Sequence, residues 1–488
     1  MAPHHKNIQT RWTKIVATVG PASRSAEQLL HLAQAGVDIF RLNFSHGYQE
    51  EKKEIIRDIR AISEQLARPL AILADLQGPK MRVGKFANGV VFLETGREVT
   101  LTTRDVAGNA AVIPISYKHL PQDVAAGDRI LLDDGSLELS VNKVQDNDIL
   151  CTIVAGGALR DNKGINLPGV RVSSPSLTAK DRADLEFCMQ HEVDFVALSF
   201  VRSAADIEEV KHILYQKDRF IHVIAKIERP EGVEHFDAIL AVADAIMVAR
   251  GDLGVEMGPE RVPLIQKTII GKCNQAGKPV ITATQMLESM MDAPRPTRAE
   301  TSDVANAIMD GTDAVMLSGE TATGHFPLEA VATMVRVATS VEKIPVCATI
   351  FHNNSQPDAV NLPEILANMS CQVAEKLHAA AILPFTLTGA AARQTAKFRP
   401  RVPVIAVTTR VDVQRKLNIC RGVFSFLVKK ADETEIQIEN LEQALLNAGV
   451  LEKGDLVVIT MGSPVSTTGT TNLLKVHRLG TGGFFEAY

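Results

Sequence analysis

Two short apolar runs end in charge. His222-Val-Ile-Ala-Lys-Ile-Glu228 finishes with Lys226 and Glu228, and Ala245-Ile-Met-Val-Ala-Arg-Gly-Asp252 finishes with Asp252. Each reads as a buried strand with a polar end. Two carboxylates and an ammonium meeting at the mouth of a parallel sheet suit a hard cation, Mg2+ foremost, holding an anionic substrate. The lysine can then neutralise charge that develops during reaction. The same residues also read as two exposed, salt-bridged strand ends, so the surrounding elements decide.

Eight short apolar runs have strand character. They begin at Lys14, Ile39, Leu70, Phe195, His222, Ala245, Pro279 and Ala314. Helix-period segments follow most of them, such as Val262, Ile265 and Ile269, an i, i+3, i+7 stripe. Near-continuous apolar strands alternating with helices imply a parallel sheet buried on both faces. Eight such units is the count of a closed (β/α)8 TIM barrel. The third start-to-start spacing is 125 residues, whereas the others run from 23 to 35. The excess is about one small domain. It contains EVTLTT, RILLDD, LELSV and ILCTIV, with Asp134-Gly135 as a hairpin signal. The expected organisation is therefore barrel over 1–79, an inserted small β-barrel lid over 80–176, barrel again over 177–346, and a C-terminal α/β domain over 347–488. The last opens after a polar linker, His352 to Pro357, with a helical pattern from Leu362 to Leu377. Four strand-like runs follow: AILPFTLTG, VPVIAVTT, FSFLV and DLVVITMG.

Chemistry on such a barrel is built from the C-terminal ends of its strands. Those ends carry Arg41, Asn43 and Ser45 (strand 2), Asp75 (strand 3), Lys226 and Glu228 (strand 5), and Arg250, Gly251 and Asp252 (strand 6). Thr284 and Gln285 follow strand 7, and Ser318 and Glu320 follow strand 8. Loops are polar in any case, but this excess of cations beside carboxylates suits a phosphorylated, carboxylated substrate. Gly251-Asp-Leu-Gly254 can offer backbone N–H groups to an anion where the chain turns toward a helix. Arg82 and Lys163 lie at the lid's edges, where either could equally be a solvated surface charge.

Composition narrows the class. The 488 residues are 45% hydrophobic and 22% charged, in the range of soluble globular proteins. A net charge of −5 argues against nucleic acid as the main partner. No apolar run reaches membrane-spanning length and the start lacks a signal region, so the expected location is cytoplasmic. Six scattered cysteines with no Cys-x-x-Cys pair suit a reducing compartment and give no zinc signature.

These segments, taken in order, resemble the pyruvate kinase family over nearly the whole chain. The matching stretches are Thr13–Pro21, Arg41–Gly47, Asp75–Arg82, Lys163–Gly169, Ala225–Glu228, Ala249–Glu256, Thr282–Met290 and Met316–Thr321. The resemblance implies phosphoryl transfer from phosphoenolpyruvate to ADP, giving pyruvate and ATP at the end of glycolysis, usually by a homotetramer. It implies that Lys226 stabilises the transition state, that Glu228 and Asp252 hold Mg2+ (for which Mn2+ can substitute), and that Arg41 grips the transferring phosphate. Gly251, Asp252 and Thr284 would contact the carboxylate end; Arg82, Lys163 and His46 would serve the nucleotide. Thr284 and Ser318 are hydroxyl candidates for protonating the enolate through water.

The chain also departs from the family pattern. Many members need K+, with ligands matching Asn43, Ser45, Asp75 and the residue at Leu76. Those enzymes have a glutamate after Gly-Pro, and here Lys80 stands there. This chain thus resembles the members that dispense with K+, an ammonium supplying the missing positive charge. In the C-terminal domain, Thr386, Thr388, Gly389, Thr395, Ser466 and Gly469 resemble the cradle for an allosteric sugar phosphate or nucleotide, although Ala390 and Ala391 stand where some members have Arg and Ser. Two other readings compete. An Mg2+-dependent aldolase or lyase would stabilise a pyruvate enolate without nucleotide, and a metabolite sensor would keep only the C-terminal site.

Overall fold

The computed structural model describes residues 11–344, 361–431, 433–462 and 471–480. The linker His352–Pro357, Ser466 and Gly469 lie outside the described residues.

Eight parallel strands close into a barrel. They are β1 (Lys14–Val19), β2 (Ile39–Asn43), β3 (Ala71–Asp75), β4 (Phe195–Leu198), β5 (His222–Ile227), β6 (Ala245–Ala249), β7 (Val280–Ala283) and β8 (Ala314–Leu317). Each pairs with its chain neighbours, and β8 returns to β1 with Lys14 opposite Ala314 and Ala17 opposite Leu317. Most of these strands are buried at every position, which is why they read as continuous apolar runs.

Period-two alternation sorts their side chains. Ile15, Ala17, Phe40, Ile72, Val196 and Val223 join the outer core under the helices. Val16, Ile39, Leu73, Phe195, Ile224 and Met247 pack inside the barrel. The polar residues at the strand ends belong to this inner set by parity: Arg41 follows Ile39, Asp75 follows Leu73, and Lys226 follows Ile224. The apolar interior thus forms the floor on which the charges stand.

The lid leaves the barrel after β3. Its ladders form a six-stranded sheet and a separate two-stranded ribbon (Val90–Leu93 with Gly157–Arg160) around one core, rather than one continuous closed ladder. The hairpin expected at Asp134-Gly135 joins Arg129–Leu132 to Leu137–Gln145, with positive φ at Asp133, Asp134 and Gly135. The chain returns through a capping box at Thr178 and Asp181 that starts the helix Ala179–Gln190.

The third unit is a five-stranded sheet flanked by helices, in the order Val423–Leu427, Val404–Thr408, Ala381–Pro384, Leu456–Gly462, Thr471–Arg478. Four strands are parallel; the edge strand Thr471–Arg478 is antiparallel and has no counterpart in the sequence reading. This unit docks under the N-terminal ends of the barrel strands. Lys14 Nζ donates to Val423 O at 2.7 Å, and Arg399 pairs with Asp313, next to β8, at 2.9 Å.

Candidate active site

At the opposite end of the barrel the charged strand ends converge. Lys226 Nζ lies 3.1 Å from Asp75 Oδ1 and 3.0 Å from Glu228 Oε1. Asp75 Oδ2 accepts from Arg41 Nε at 2.7 Å, and Arg41 Nη1 donates to Thr18 Oγ1 at 2.9 Å. Four strands, β1, β2, β3 and β5, therefore feed one network.

Its electrostatics are set by burial and by partners. Burial disfavours the Lys226 ammonium, but Asp75 and Glu228 outweigh it and hold its pKa above the usual lysine range. Burial likewise disfavours the Asp75 carboxylate, yet Lys226 and Arg41 keep its pKa below the usual value. Glu228 goes the other way: burial raises it, Lys226 opposes, and the nearby Asp252 charge raises it further. Glu228 Oε2 accepts from Phe200 N at 2.7 Å. Among the described residues no group of three His, Cys, Asp or Glu side chains could hold a metal on its own. Glu228 and Asp252 nevertheless form a repelling, oxygen-only pair, which suits a hard divalent cation that takes one or two carboxylates and completes its shell with substrate and water.

Beside this pair, Arg250, Gly251 and Asp252 form the first turn of the helix Arg250–Met257. Gly251 N donates to Thr284 Oγ1 at 2.8 Å. Thr284 and Gln285 both have positive φ, 67° and 53°. For residues with side chains that is a strained backbone, and such strain gathers at functional sites. Arg250 fixes the same loop through Asp303 Oδ1 at 2.7 Å and Thr284 O at 2.9 Å. Ser318 comes to the mouth from β8 with a buried Oγ that has no partner, while Glu320 holds the Ser318 and Leu287 amides at 2.7 and 3.1 Å.

The residues expected around a monovalent cation are already engaged. Asn43 Oδ1 accepts from Ser45 N at 3.0 Å, Leu76 O accepts from Ser199 Oγ at 2.7 Å, and both Asp75 oxygens face cations. Burial lowers the His46 pKa, and the charges of Arg82, Lys80, Lys52 and Arg41 lower it further. A neutral imidazole ringed by cations marks a place for an anion. On the lid, Arg82 Nη1 donates to Asn162 O at 2.8 Å and Lys163 pairs with Asp133 at 2.7 Å. A narrow cleft lies between lid and mouth, lined by Lys80, Asn166, Phe200, Arg229, Asp252 and Glu256. Asn166 Nδ2 reaches across to Glu256 Oε1 at 3.2 Å.

Two functional groups escaped the sequence reading: Thr18, at the end of β1, and Ser199, immediately after β4. Their signal was positional, since β1 and β4 are the strands whose ends yielded no candidate.

The chain matches the pyruvate kinase barrel domain over residues 10–331 and the pyruvate kinase alpha/beta domain over residues 364–477. The chain belongs to the pyruvate kinase family. It is 46% identical to the pyruvate kinase of Geobacillus stearothermophilus, over 96% of this chain and 80% of that protein. It is 48% identical to pyruvate kinase 2 of a Synechocystis strain, over 96% and 79%. The crystal structure of a pyruvate kinase from Cryptosporidium parvum superposes with a TM-score of 0.90 at 38% identity, covering 96% of both chains. Pyruvate kinases are phosphotransferases, and so is this chain. The family implies phosphoenolpyruvate and ADP as substrates and pyruvate as product, and its members generally use Mg2+ and K+.

The C-terminal unit holds an open cavity of about 280 Å³ lined by Thr386, Thr388, Ala390, Gln394 and Lys430 among others. Gly389, with φ of 84°, caps the helix Ala390–Lys397, and its N–H donates to Thr386 Oγ1 at 2.8 Å. Thr395 lies elsewhere than the cavity wall. It is buried one turn further along the helix, and its hydroxyl donates to Ala391 O at 3.0 Å rather than facing the cavity.

Proposed function

We propose that the network on β1, β2, β3 and β5 performs the family's phosphoryl transfer without K+. The observation that carries the reading is Lys226, buried and protonated between Asp75 and Glu228 at the floor of the mouth. Phosphoryl transfer needs positioning and charge neutralisation more than covalent help. In this reading Arg41 binds the phosphate of phosphoenolpyruvate and Lys226 meets the charge that develops on the bridging oxygen. Gly251, Asp252 and Thr284 orient the carboxylate end. Glu228 and Asp252 would hold Mg2+ (or Mn2+), which supplies Lewis-acid stabilisation of phosphoryl and enolate oxygens. Arg82, Lys163 and His46 accommodate the ADP phosphates. Ser318 supports enolate protonation, since its hydroxyl is buried and uncommitted.

Lys80 is the reason for proposing K+ independence. It lines the cavity beside Asp252 and contributes to the positive field at His46. Of the oxygens that would ligate K+, Asn43 Oδ1, Leu76 O and both Asp75 oxygens meanwhile have donors of their own. The division into barrel (1–79, 177–346), lid (80–176) and effector domain (347–488) fits three tasks: chemistry, closure and regulation. A phosphorylated effector suits the C-terminal cavity, whose lining includes Lys430, Thr388 and the start of the helix Ala390–Lys397. A homotetramer in the cytoplasm is the arrangement the family suggests; among the described residues no helix is long and apolar enough to cross a membrane. Pyruvate release from phosphoenolpyruvate and Mg2+ in K+-free buffer tests the reading. Turnover that requires ADP and is indifferent to K+ supports it. Pyruvate and inorganic phosphate formed without ADP would mean hydrolysis rather than transfer to a nucleotide and would contradict the reading, and turnover only with K+ would remove the role given to Lys80.

A further inference from the structure

We propose that Ser199 is a positioning residue for Lys226, an inference that rests on the phosphoryl-transfer reading above. An ammonium has three N–H donors and no acceptor. Two are donated in hydrogen bonds, to Asp75 Oδ1 at 3.1 Å and to Ser199 Oγ at 2.7 Å, and Glu228 Oε1 lies 3.0 Å away as an ion-pair partner. The hydroxyl is the shortest contact and the neutral one. Because Lys226 can only donate, Ser199 Oγ accepts from it, and the hydroxyl proton is left for Leu76 O at 2.7 Å. Ser199 therefore ties the lysine of β5 to the backbone just after β3.

The local chain holds this hydroxyl in place. Ser199 is buried, and the next residue, Phe200, has a positive φ of 57°. That turn aims Phe200 N at Glu228 Oε2 while the Ser199 side chain meets Lys226. Gly78, on the way into the lid, packs against the same point: a Cβ there would lie 3.0 Å from Ser199 Cβ.

The physical role follows from charge. Asp75 and Glu228 pull the ammonium into ion pairs. A neutral acceptor fixes the direction of Nζ without a third ion pair and gives way to an incoming oxygen at less Coulomb cost than either carboxylate. Loss of the hydroxyl lets Lys226 settle between the carboxylates and frees Leu76 O of its donor.

The test is steady-state kinetics of Ser199→Ala, Ser199→Thr and Ser199→Ala combined with Lys226→Met, with thermal melts as the folding control. In Ser199→Ala, kcat should fall about tenfold to a hundredfold, as for a misplaced catalytic group. KM for phosphoenolpyruvate should stay within about twofold, and Ser199→Thr, which keeps the hydroxyl, should recover most of the loss. In the Lys226→Met background the same substitution should cost nothing further, because Ser199 acts only through that lysine. A folded Ser199→Ala enzyme with wild-type kcat would overturn the proposal. So would an equal loss in both backgrounds, which marks general disruption. Should Ser199→Ala misfold, Ser199→Cys, close in volume with a weakly accepting sulfur, takes its place under the same criteria. An inactive wild type would instead count against the phosphoryl-transfer reading itself.

Discussion

Lys226 is a buried cation whose charge is fixed by two carboxylates, so it stays protonated wherever the fold survives. Removing it takes away the ammonium that meets the charge of the leaving enolate. Lys226→Met should lower kcat by about 10²- to 10³-fold or more, the usual effect of deleting one preorganised charge. A smaller loss in the pyruvate-release assay would move the burden to Arg41. Lys80 makes an opposite kind of prediction. Lys80→Glu restores the residue type of the K+-requiring members. Added K+ should then raise kcat about tenfold where it leaves the wild type unchanged, because a carboxylate attracts the cation that an ammonium repels. At this scale much of the site was legible in the sequence. Arg41, Asp75, Lys226 and Glu228 announce themselves as charges ending apolar strands. Ser199 and Thr18 do not, because a hydroxyl at a strand end is ordinary turn chemistry until its partner is known.

The barrel strands were legible for a reason that does not extend to the lid. Strands buried on both faces must be apolar throughout, whereas lid strands such as Val90–Leu93 and Gly157–Arg160 are short and partly exposed. The edge strand Thr471–Arg478 is mostly half-buried and equally easy to overlook. At the other end of the barrel, His222 opens β5 where its ring meets Phe195 and faces Asp244 and Lys211 of the barrel and Arg393 and Lys416 of the C-terminal unit. Burial pushes its pKa from 6.5 down to about 4; Asp244 opposes, and Arg393, Lys416 and Lys211 add to the fall. The unfolded chain therefore binds more protons than the folded one between those values. Stability due to the neutral ring is full above about pH 6.5 and drains away as pH falls toward 4. His222→Gln should flatten the pH dependence of the melting temperature in that window. An unchanged slope would assign the acid sensitivity to other groups.

At the scale of the whole molecule, a buried ion pair helps to dock the C-terminal unit on the barrel. Asp313 accepts from Arg399 Nη1 and Nη2 at 2.9 and 3.2 Å, from Arg421 N at 3.1 Å and from Val280 N at 3.1 Å. Arg399 lies just past the helix Ala390–Lys397, whose first residue lines the C-terminal cavity, and Asp313 immediately precedes β8, whose other end carries Ser318. Asp313→Ala removes the carboxylate from buried Arg399, which still donates to Asn274 Oδ1 and Gly311 O, and breaking such a buried pair costs about 3–5 kcal/mol. A thermal melt should show a clear drop in the transition temperature; a melt at the wild-type temperature would mean that the pair contributes little to docking. No sequence pattern signalled this contact, because its partners are 86 residues apart and neither belongs to a motif. The central claim concerns the other end of the barrel, and 31P NMR of phosphoenolpyruvate, ADP, Mg2+ and enzyme in K+-free buffer tests it most directly. The account predicts that the ATP γ-phosphate signal grows one-for-one as the phosphoenolpyruvate signal falls. Loss of phosphoenolpyruvate into inorganic phosphate, or no change in either signal, would contradict it.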